Sequence, residues 1–347
     1  MPSAVCYPLT VSAVEPLTED AAAITFDVPA PLRDAFAFLP GQSLTVRHAG
    51  ERRSYSICVP PGRAPRIGVR EVPGGAVSGW LVRAVRPGEV VDVQPPSGTF
   101  TPGPSPAAGR HVLVAAGSGI TPVLSIAWSL LQAGAEVTLV YGNRRADTVM
   151  FADEVADLKD AFPARMRLVH VLSREAQEVD LFSGRLDAAK LRALLPVVAD
   201  VPAVGDWWLC GPFGMVAGAI GVLTEFGVPR SGIHRELFYV EDTPPPAVTH
   251  AEEAGVGAEV TVILDGRATV VTVPPGTAIL DGAQRARADL PFACKGGVCG
   301  TCRALLTDGN VTMRRNFALE EPELAAGYVL TCQSLPATDT VTVDYDS

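Results

Sequence analysis

Histidine is scarce in this chain of 347 residues, and the five that occur, His48, His111, His170, His234 and His250, fall at no spacing that suits a metal. Positive charge is short as well. Lys and Arg number 28 against 38 Asp and Glu, giving a net charge of −10. That balance argues against sequence-independent nucleic-acid binding, which depends on cations neutralising phosphates, and it suits docking to a basic patch on a protein partner. The opening MPSAVCYPLT lacks a basic stretch followed by an apolar core, so no secretory signal is expected. Residues 111–135 contain no Asp, Glu, Lys or Arg, a run long enough to raise a membrane helix. Gly117, Gly119 and Pro122 interrupt it, however, and a strand, loop and helix account for it better, with no membrane association. The seven cysteines form no disulfide framework, which points to a reducing, cytoplasmic setting. No long-period repeat is present.

What is there divides into segments of different rhythm. The length exceeds one ordinary domain, and 48% hydrophobic with 19% charged residues describes a folded chain. Residues 1–106 carry short runs such as AITFDV, SLTVRH, RSYSICV and EVVDVQ between Pro and Gly, which predicts an antiparallel barrel or sandwich. Residues 107–240 alternate between strand-like and helix-like runs, HVLVAAG, ITPVLSIAWSLLQAG, EVTLVYG, RMRLVHVLS and WWLCGP, predicting a parallel sheet covered by helices. Residues 241–257, with Pro244, Pro245 and Pro246, read as a semi-rigid linker. The last segment, 258–347, begins with EVTVIL and ATVVTV around Asp265-Gly266, a two-residue hairpin signal. Helical spacing follows in Ile279, Leu280, Ala283 and Ala286, with Thr277 as the expected N-cap.

Four of the cysteines form the strongest motif. Cys294, Cys299 and Cys302 stand in PFACKGGVCGTC and Cys332 follows YVLT. Cys-x4-Cys-x2-Cys with one distant partner is the spacing of plant-type [2Fe-2S] ligands. Gly296, Gly297 and Gly300 leave room for backbone N–H groups to face sulfur. A zinc site normally shows two short Cys or Cys/His pairs, and only Cys299 and Cys302 make one here.

Upstream motifs are individually weaker. In Arg53-Ser54-Tyr55-Ser56 strand alternation puts a cation and an aromatic on one face, which equally describes any half-exposed strand. Gly74-Gly75-Ala76-Val77-Ser78 leads into a predicted helix whose N-terminus can take an anion. Gly117-Ser118-Gly119-Ile120-Thr121-Pro122 joins a strand to a helix, where glycine permits tight turning and close phosphate approach. It is not the GxGxxG fingerprint. Cys210-Gly211-Pro212 ends the apolar strand WWL. Acids commonly hold the adenosine ribose of NAD and Arg the extra phosphate of NADP. The chain offers Asn143, Arg144 and Arg145 after one strand, and Ser173 and Arg174 after the next, so NADPH is expected, with NADH as the alternative.

RSYS, GGAVSGWL and PSGTF in this order resemble the FAD-binding barrel of the ferredoxin-NADP reductase superfamily, and residues 258–347 resemble a plant-type ferredoxin. The resemblance implies a multidomain fold: an antiparallel FAD-binding β-barrel, an α/β parallel-sheet nucleotide-binding domain and an α+β β-grasp ferredoxin domain. It implies FAD rather than FMN, with Arg53 on the pyrophosphate, Tyr55 on the ring, Ser56 near N5, and Gly75, Ala76 and Ser78 around the phosphates. It further implies nicotinamide nucleotide at Gly117–Pro122 and Leu172–Glu175, Cys210 beside the nicotinamide, and Glu236 and Phe238 near the flavin, the acid assisting proton movement. The domain order resembles the reductase components of bacterial multicomponent oxygenases, most of all those serving phenylacetyl-CoA epoxidases of phenylacetate degradation. A di-iron oxygenase component is then the electron acceptor. Reductases of steroid or aromatic-ring hydroxylases are the alternative. A reading of another class is a redox sensor without turnover, against which the joint presence of flavin and nucleotide motifs weighs.

Overall fold

A computed structural model of the chain describes residues 5–106, 108–239, 257–287, 289–292, 295–298, 300–319 and 321–347. Two compact units account for it, one holding residues 6–51 and 55–241, the other residues 242–347 together with residues 1–5 and 52–54. The expected linker lies almost wholly outside the described residues.

The first unit begins with β1 (Tyr7–Thr18), β2 (Ala21–Asp27), β3 (Ser43–His48), β4 (Glu51–Ser56), β5 (Arg66–Arg70), α1 (Ala76–Arg83) and β6 (Val90–Ser97). The strands lie in the order β4-β3-β6-β1-β2-β5. At the two outer strands, Ile57 bridges to Ile67, and Cys58 N–H donates to Arg66 O at 2.9 Å. The sheet thereby closes on itself and leaves little unpaired edge. Alternating residues such as Leu9, Val11, Ile24, Phe26, Leu44 and Val46 point inwards and are fully buried. Each contributes about 1.5–3 kcal/mol by leaving water. α1 lies against this core through Val77 and Leu81.

The same unit continues with β7 (Arg110–Ala116), α2 (Ile120–Gln132), β8 (Glu136–Asn143), α3 (Ala152–Ala161), β9 (Met166–Leu172), α4 (Ala188–Val198), β10 (Asp206–Pro212), α5 (Phe213–Glu225) and β11 (Ile233–Tyr239). All four pairings in the order β11-β10-β7-β8-β9 are parallel. The charge-free run thus resolves into β7, a 3-10 turn and the largely buried α2. Among the described residues no helix is long and apolar enough to cross a membrane. Barrel and parallel sheet share one core, in which Ala21, Ala23, Cys58 and Phe100 meet Val123, Ile126 and Ala127 of α2. Ser125 Oγ donates to Val59 O at 2.7 Å, and Arg66 pairs with Glu154 at 3.0 Å and with Glu15.

The second unit contains β12 (Ala258–Leu264), β13 (Arg267–Val273), α6 (Ile279–Ala283), β14 (Arg303–Asp308), β15 (Val311–Met313), α7 (Glu321–Ala325), β16 (Tyr328–Leu330), β17 (Ser334–Pro336) and β18 (Thr340–Asp344). Its main sheet runs β13-β12-β18-β14-β16, with β12 and β18 parallel. The hairpin turn forms at the expected pair: Asp265 and Gly266 both take positive φ, 53° and 68°, the requirement of a type I′ turn. Their N–H groups are further held by the Asp346 carboxylate at 2.8 Å each. The helix, however, is shorter than its spacing suggested. It spans five residues with Ala278, not Thr277, at the N-cap position. Arg287 turns back to pair with Asp289 at 2.8 Å and with Thr269 at 3.1 Å.

Candidate functional site

In an open parallel sheet, ligands bind beyond the carboxyl ends of the strands where the strand order reverses. Here that place lies between β7 and β10, the strands that lead into Gly117-Ser118-Gly119 and Cys210-Gly211-Pro212. The two segments are in backbone contact. A Cβ on Gly119 would stand 2.2 Å from Cys210 O and 2.6 Å from Cys210 C, so no side chain fits. Gly117 takes φ of 55°, which glycine adopts at little cost. Tyr141 OH, from β8, reaches Gly117 O at 3.1 Å, and Thr121 Oγ1 donates to Ser118 O at 3.0 Å. Tyr141 is a support that sequence reading missed, although a hydroxyl inside the apolar run EVTLVYG was a visible signal. The turn is therefore held from below, and α2 starts directly on it without a side-chain cap, its Ile120 N–H bonded back to Gly117 O. Pro122 costs nothing there, since the missing N–H would have no intrahelical partner.

The next two strand ends are drawn together by Ser173 N–H to Asn143 O at 2.9 Å and Arg174 N–H to Arg144 O at 2.8 Å. Arg144 and Arg174 are both exposed there. Arg145 goes elsewhere, paired with Asp147 at 2.7 Å. Two guanidinium groups and the Ser173 hydroxyl can serve a phosphate beside the crevice.

Across the shared core, Ser56 at the end of β4 is buried, and its Oγ donates to Glu236 Oε2 at 3.2 Å. Cys210 is fully buried and stands opposite Glu236 in the β10–β11 register. Withdrawal from water pushes the Glu236 carboxyl up to about 8, against the opposing pull of the Ser56 hydrogen bond. Burial, with Glu236 adding to it, likewise holds the Cys210 thiol well above its ordinary value. Three of the four residues expected to be catalytic thus meet, and Glu236 keeps a proton at neutral pH. Phe238, the fourth, is partly buried and packs against the shared core.

Glu236 should also set how stability varies with pH. Its folded value exceeds the unfolded one, so the contribution is fully present below about 4.5 and is lost as pH rises through about 8. Urea melts of the cofactor-free protein should show stability falling over that window by a few kcal/mol, at about 1.36 kcal/mol per unit. Glu236→Gln should flatten the fall, and an equally steep fall in that variant would contradict the assignment.

On the barrel, Tyr55 packs half-buried against the core, and Arg53 Nη1 donates to Arg52 O at 2.7 Å, with Ser54 between them and Ser56 in β4. Gly74 takes φ of 75° and leads to Gly75, the N-cap of α1. The Ser78 hydroxyl is engaged within its own loop, accepting from Val72 N–H at 3.1 Å and lying 3.4 Å from Gly75 O. Donors at this helix end are accordingly the first-turn N–H groups of Ala76, Val77 and Ser78, not that hydroxyl.

In the second unit Cys302 and Cys332 are buried, while Cys294 and Cys299 lie outside the described residues. Thr331, next to Cys332, donates to Cys302 O from its N–H at 3.1 Å and from Oγ1 at 3.0 Å. Tyr345 OH backs Thr331 Oγ1 at 2.7 Å. The chain around the motif curls through Lys295, Gly297 and Gly300 at φ of 51°, 80° and 66°. Two buried thiols, Cys302 just before β14 and Cys332 in the turn between β16 and β17, suit iron-sulfur ligation, where sulfur donors need fixed positions and N–H neighbours.

Comparison with known proteins agrees with this geometry. Residues 262–337 match the 2Fe-2S iron-sulfur cluster binding domain and residues 113–220 the oxidoreductase NAD-binding domain. The chain is 42% identical, over 98% of its length, to one of the subunits of the 1,2-phenylacetyl-CoA epoxidase of Escherichia coli, covering 98% of that protein. It is 35% identical over 97% to the ferredoxin reductase component of 3-ketosteroid-9-alpha-monooxygenase from Rhodococcus rhodochrous, covering 96% of it. Among solved structures, phthalate dioxygenase reductase shares the fold with a TM-score of 0.61 at 23% identity, over 98% of both chains. The FAD/NAD-binding domain of the Vibrio cholerae nitric oxide dioxygenase matches 67% of this chain and 98% of its own, with a TM-score of 0.57 and 27% identity. FAD, a nicotinamide nucleotide and a [2Fe-2S] cluster are the cofactors, and electrons run from the nucleotide through the flavin to the cluster. The chain belongs to the family of flavin and [2Fe-2S] reductase components that deliver electrons from pyridine nucleotides to oxygenases.

Proposed function

We propose that this chain is the cytoplasmic, NADPH-dependent reductase of a phenylacetyl-CoA epoxidase system, with a di-iron oxygenase component as its acceptor. The observation that carries the reading is 42% identity over 98% of both chains to the epoxidase component of Escherichia coli. The coenzyme A thioester would bind to the acceptor, since no motif in this chain is left over for it.

Roles follow from placement. Flavin accepts two electrons as hydride and passes them on singly, which is the chemistry a nucleotide and a one-electron cluster require between them. Arg53 and the first-turn N–H groups of Ala76, Val77 and Ser78, after Gly74 and Gly75, take the flavin pyrophosphate. Tyr55 supports the ring, with Ser54 beside it in β4. Ser56 and Glu236 form a proton-holding pair beside Cys210, whose small buried side chain leaves space for the nicotinamide. Gly117, Ser118, Gly119, Thr121 and Pro122 cradle the nucleotide, opposite Cys210, Gly211 and Pro212. Arg144, Ser173 and Arg174 receive the 2′-phosphate. Cys294, Cys299, Cys302 and Cys332 bind the irons.

Two measurements test the reading. Arg174→Ala should raise KM for NADPH by about tenfold, the effect of one charge-assisted contact of roughly 1.5 kcal/mol, and leave KM for NADH little changed. Equal effects on both nucleotides would reassign the arginine. For the partner, NADPH oxidation by the purified chain should couple to epoxidation when a phenylacetyl-CoA epoxidase component is added. Coupling to a steroid hydroxylase component instead would move the chain to that system, in line with its 35% identity to the Rhodococcus reductase.

A further inference from the structure

Gln333 is a polar side chain that neither the ligand motif nor the electron path uses, yet it is buried directly after Cys332. Its Nε2 lies 2.8 Å from Lys295 O, 3.0 Å from Cys332 O and 3.3 Å from Cys332 Sγ. All three neighbours are acceptors. Only the amide nitrogen can face them, because the flipped orientation would set Oε1 against three lone-pair donors with no proton between. Two hydrogens serve the three: one bonds Lys295 O, and the other is shared between the carbonyl and the sulfur of Cys332.

The surroundings are shaped to admit this side chain. A Cβ on Gly297 would stand 3.1 Å from Gln333 Cγ and 3.2 Å from Arg315 O, so that position in the motif loop is open where the glutamine passes. The Gln333 backbone is fixed too, its carbonyl accepting from Arg314 N–H at 2.9 Å and its N–H donating to Leu330 O at 2.8 Å. Lys295, whose carbonyl takes the first hydrogen, is itself anchored through Nζ to Asp281 and Gln284 at 2.8 Å each.

We infer that Gln333 is a positioning residue that raises the reduction potential of the cluster by donating an N–H to the Cys332 thiolate. The inference rests on the reading of Cys332 as an iron ligand. A one-electron reduction of a cluster held there would form and break no covalent bond and would place more negative charge on the ligand sulfurs. A donor already aimed at one of them binds the reduced form more strongly than the oxidised form, which shifts the one-electron equilibrium towards reduction. The same amide ties the loop at Lys295 to the turn after β16 that carries Cys332, so the thiolate and its donor keep their spacing.

The test compares full-length wild type with Gln333→Leu and Gln333→Met, each loaded with FAD and cluster and titrated anaerobically against redox dyes. Iron and sulfide are assayed in the same samples. Loss of one hydrogen bond that favours the reduced state should lower the equilibrium constant for cluster reduction about tenfold, which is ~59 mV for one electron, while the flavin couples stay where they are. A variant that keeps its iron and sulfide with the wild-type cluster potential overturns the inference. So does failure of both variants to hold iron, which would make Gln333 a structural clamp only. Wild-type protein without iron and sulfide would instead sink the underlying assignment of Cys332, and the two failures are told apart by that assay.

Discussion

Cys302→Ser and Cys332→Ser should each abolish NADPH-driven electron delivery to the oxygenase component, a fall of at least ~10³-fold, while NADPH still reduces the flavin. Serine oxygen is a harder, more basic donor than thiolate and is a poor replacement in a four-cysteine set. Both sulfurs sit on buried, hydrogen-bonded backbone, so a shifted ligand cannot be recovered by movement of the chain. The flavin and nucleotide chemistry does not pass through these cysteines, which belong to the second compact unit. Stopped-flow absorbance at the flavin band together with product formation by the oxygenase separates the two outcomes. Product formed at the wild-type rate by an iron-free variant would mean that the flavin, not the cluster, reduces the partner.

The second large effect belongs to Gly119. Alanine there would place Cβ 2.2 Å from Cys210 O, a backbone atom that cannot rotate away. Either the Gly117–Gly119 turn or the end of β10 must shift by about 1 Å, and misplacement of that size costs on the order of 10²-fold in a reaction that depends on aligned donors and acceptors. Gly119→Ala should therefore lower kcat/KM for NADPH about 10²-fold. Its FAD and iron contents should match wild type, and after chemical reduction it should deliver electrons normally. A variant with unchanged nucleotide kinetics would show that the crevice between β7 and β10 is not where the nucleotide lies.

Much of the architecture could be read in advance where the cause is local. Asp265-Gly266 demands a turn with two positive φ values, which few other pairs accept. Gly117, Gly119 and Pro122 break an apolar run in a way that only a strand, turn and helix accommodates. The cysteine spacing carries its chemistry within a short segment. What stayed hidden depends on contacts made over long separations. Ser56 and Glu236 meet across 180 positions, and only family resemblance joined them before the fold was known. The Ser78 hydroxyl was expected on phosphate, but the carbonyl and N–H of its own loop are nearer partners. Thr277 looked like a helix cap by residue type alone, but the helix begins one residue after Ala278 and spans only five residues. Arg145 looked equivalent to Arg144 until Asp147, two residues on, took it. Gln333 carried no signal beyond its place after a ligand, since its role depends on the path of the loop at Lys295 and Gly297.

The central claim is that electrons entering as hydride on a bound flavin arrive one at a time on a two-iron cluster in the second unit. Anaerobic titration of the fully loaded protein with NADPH, followed by electron paramagnetic resonance at low temperature, tests it most directly. The account predicts a signal from a reduced [2Fe-2S] cluster that grows to about one spin per two irons. A protein with full iron, sulfide and FAD whose flavin bleaches on NADPH while the cluster stays oxidised would contradict it.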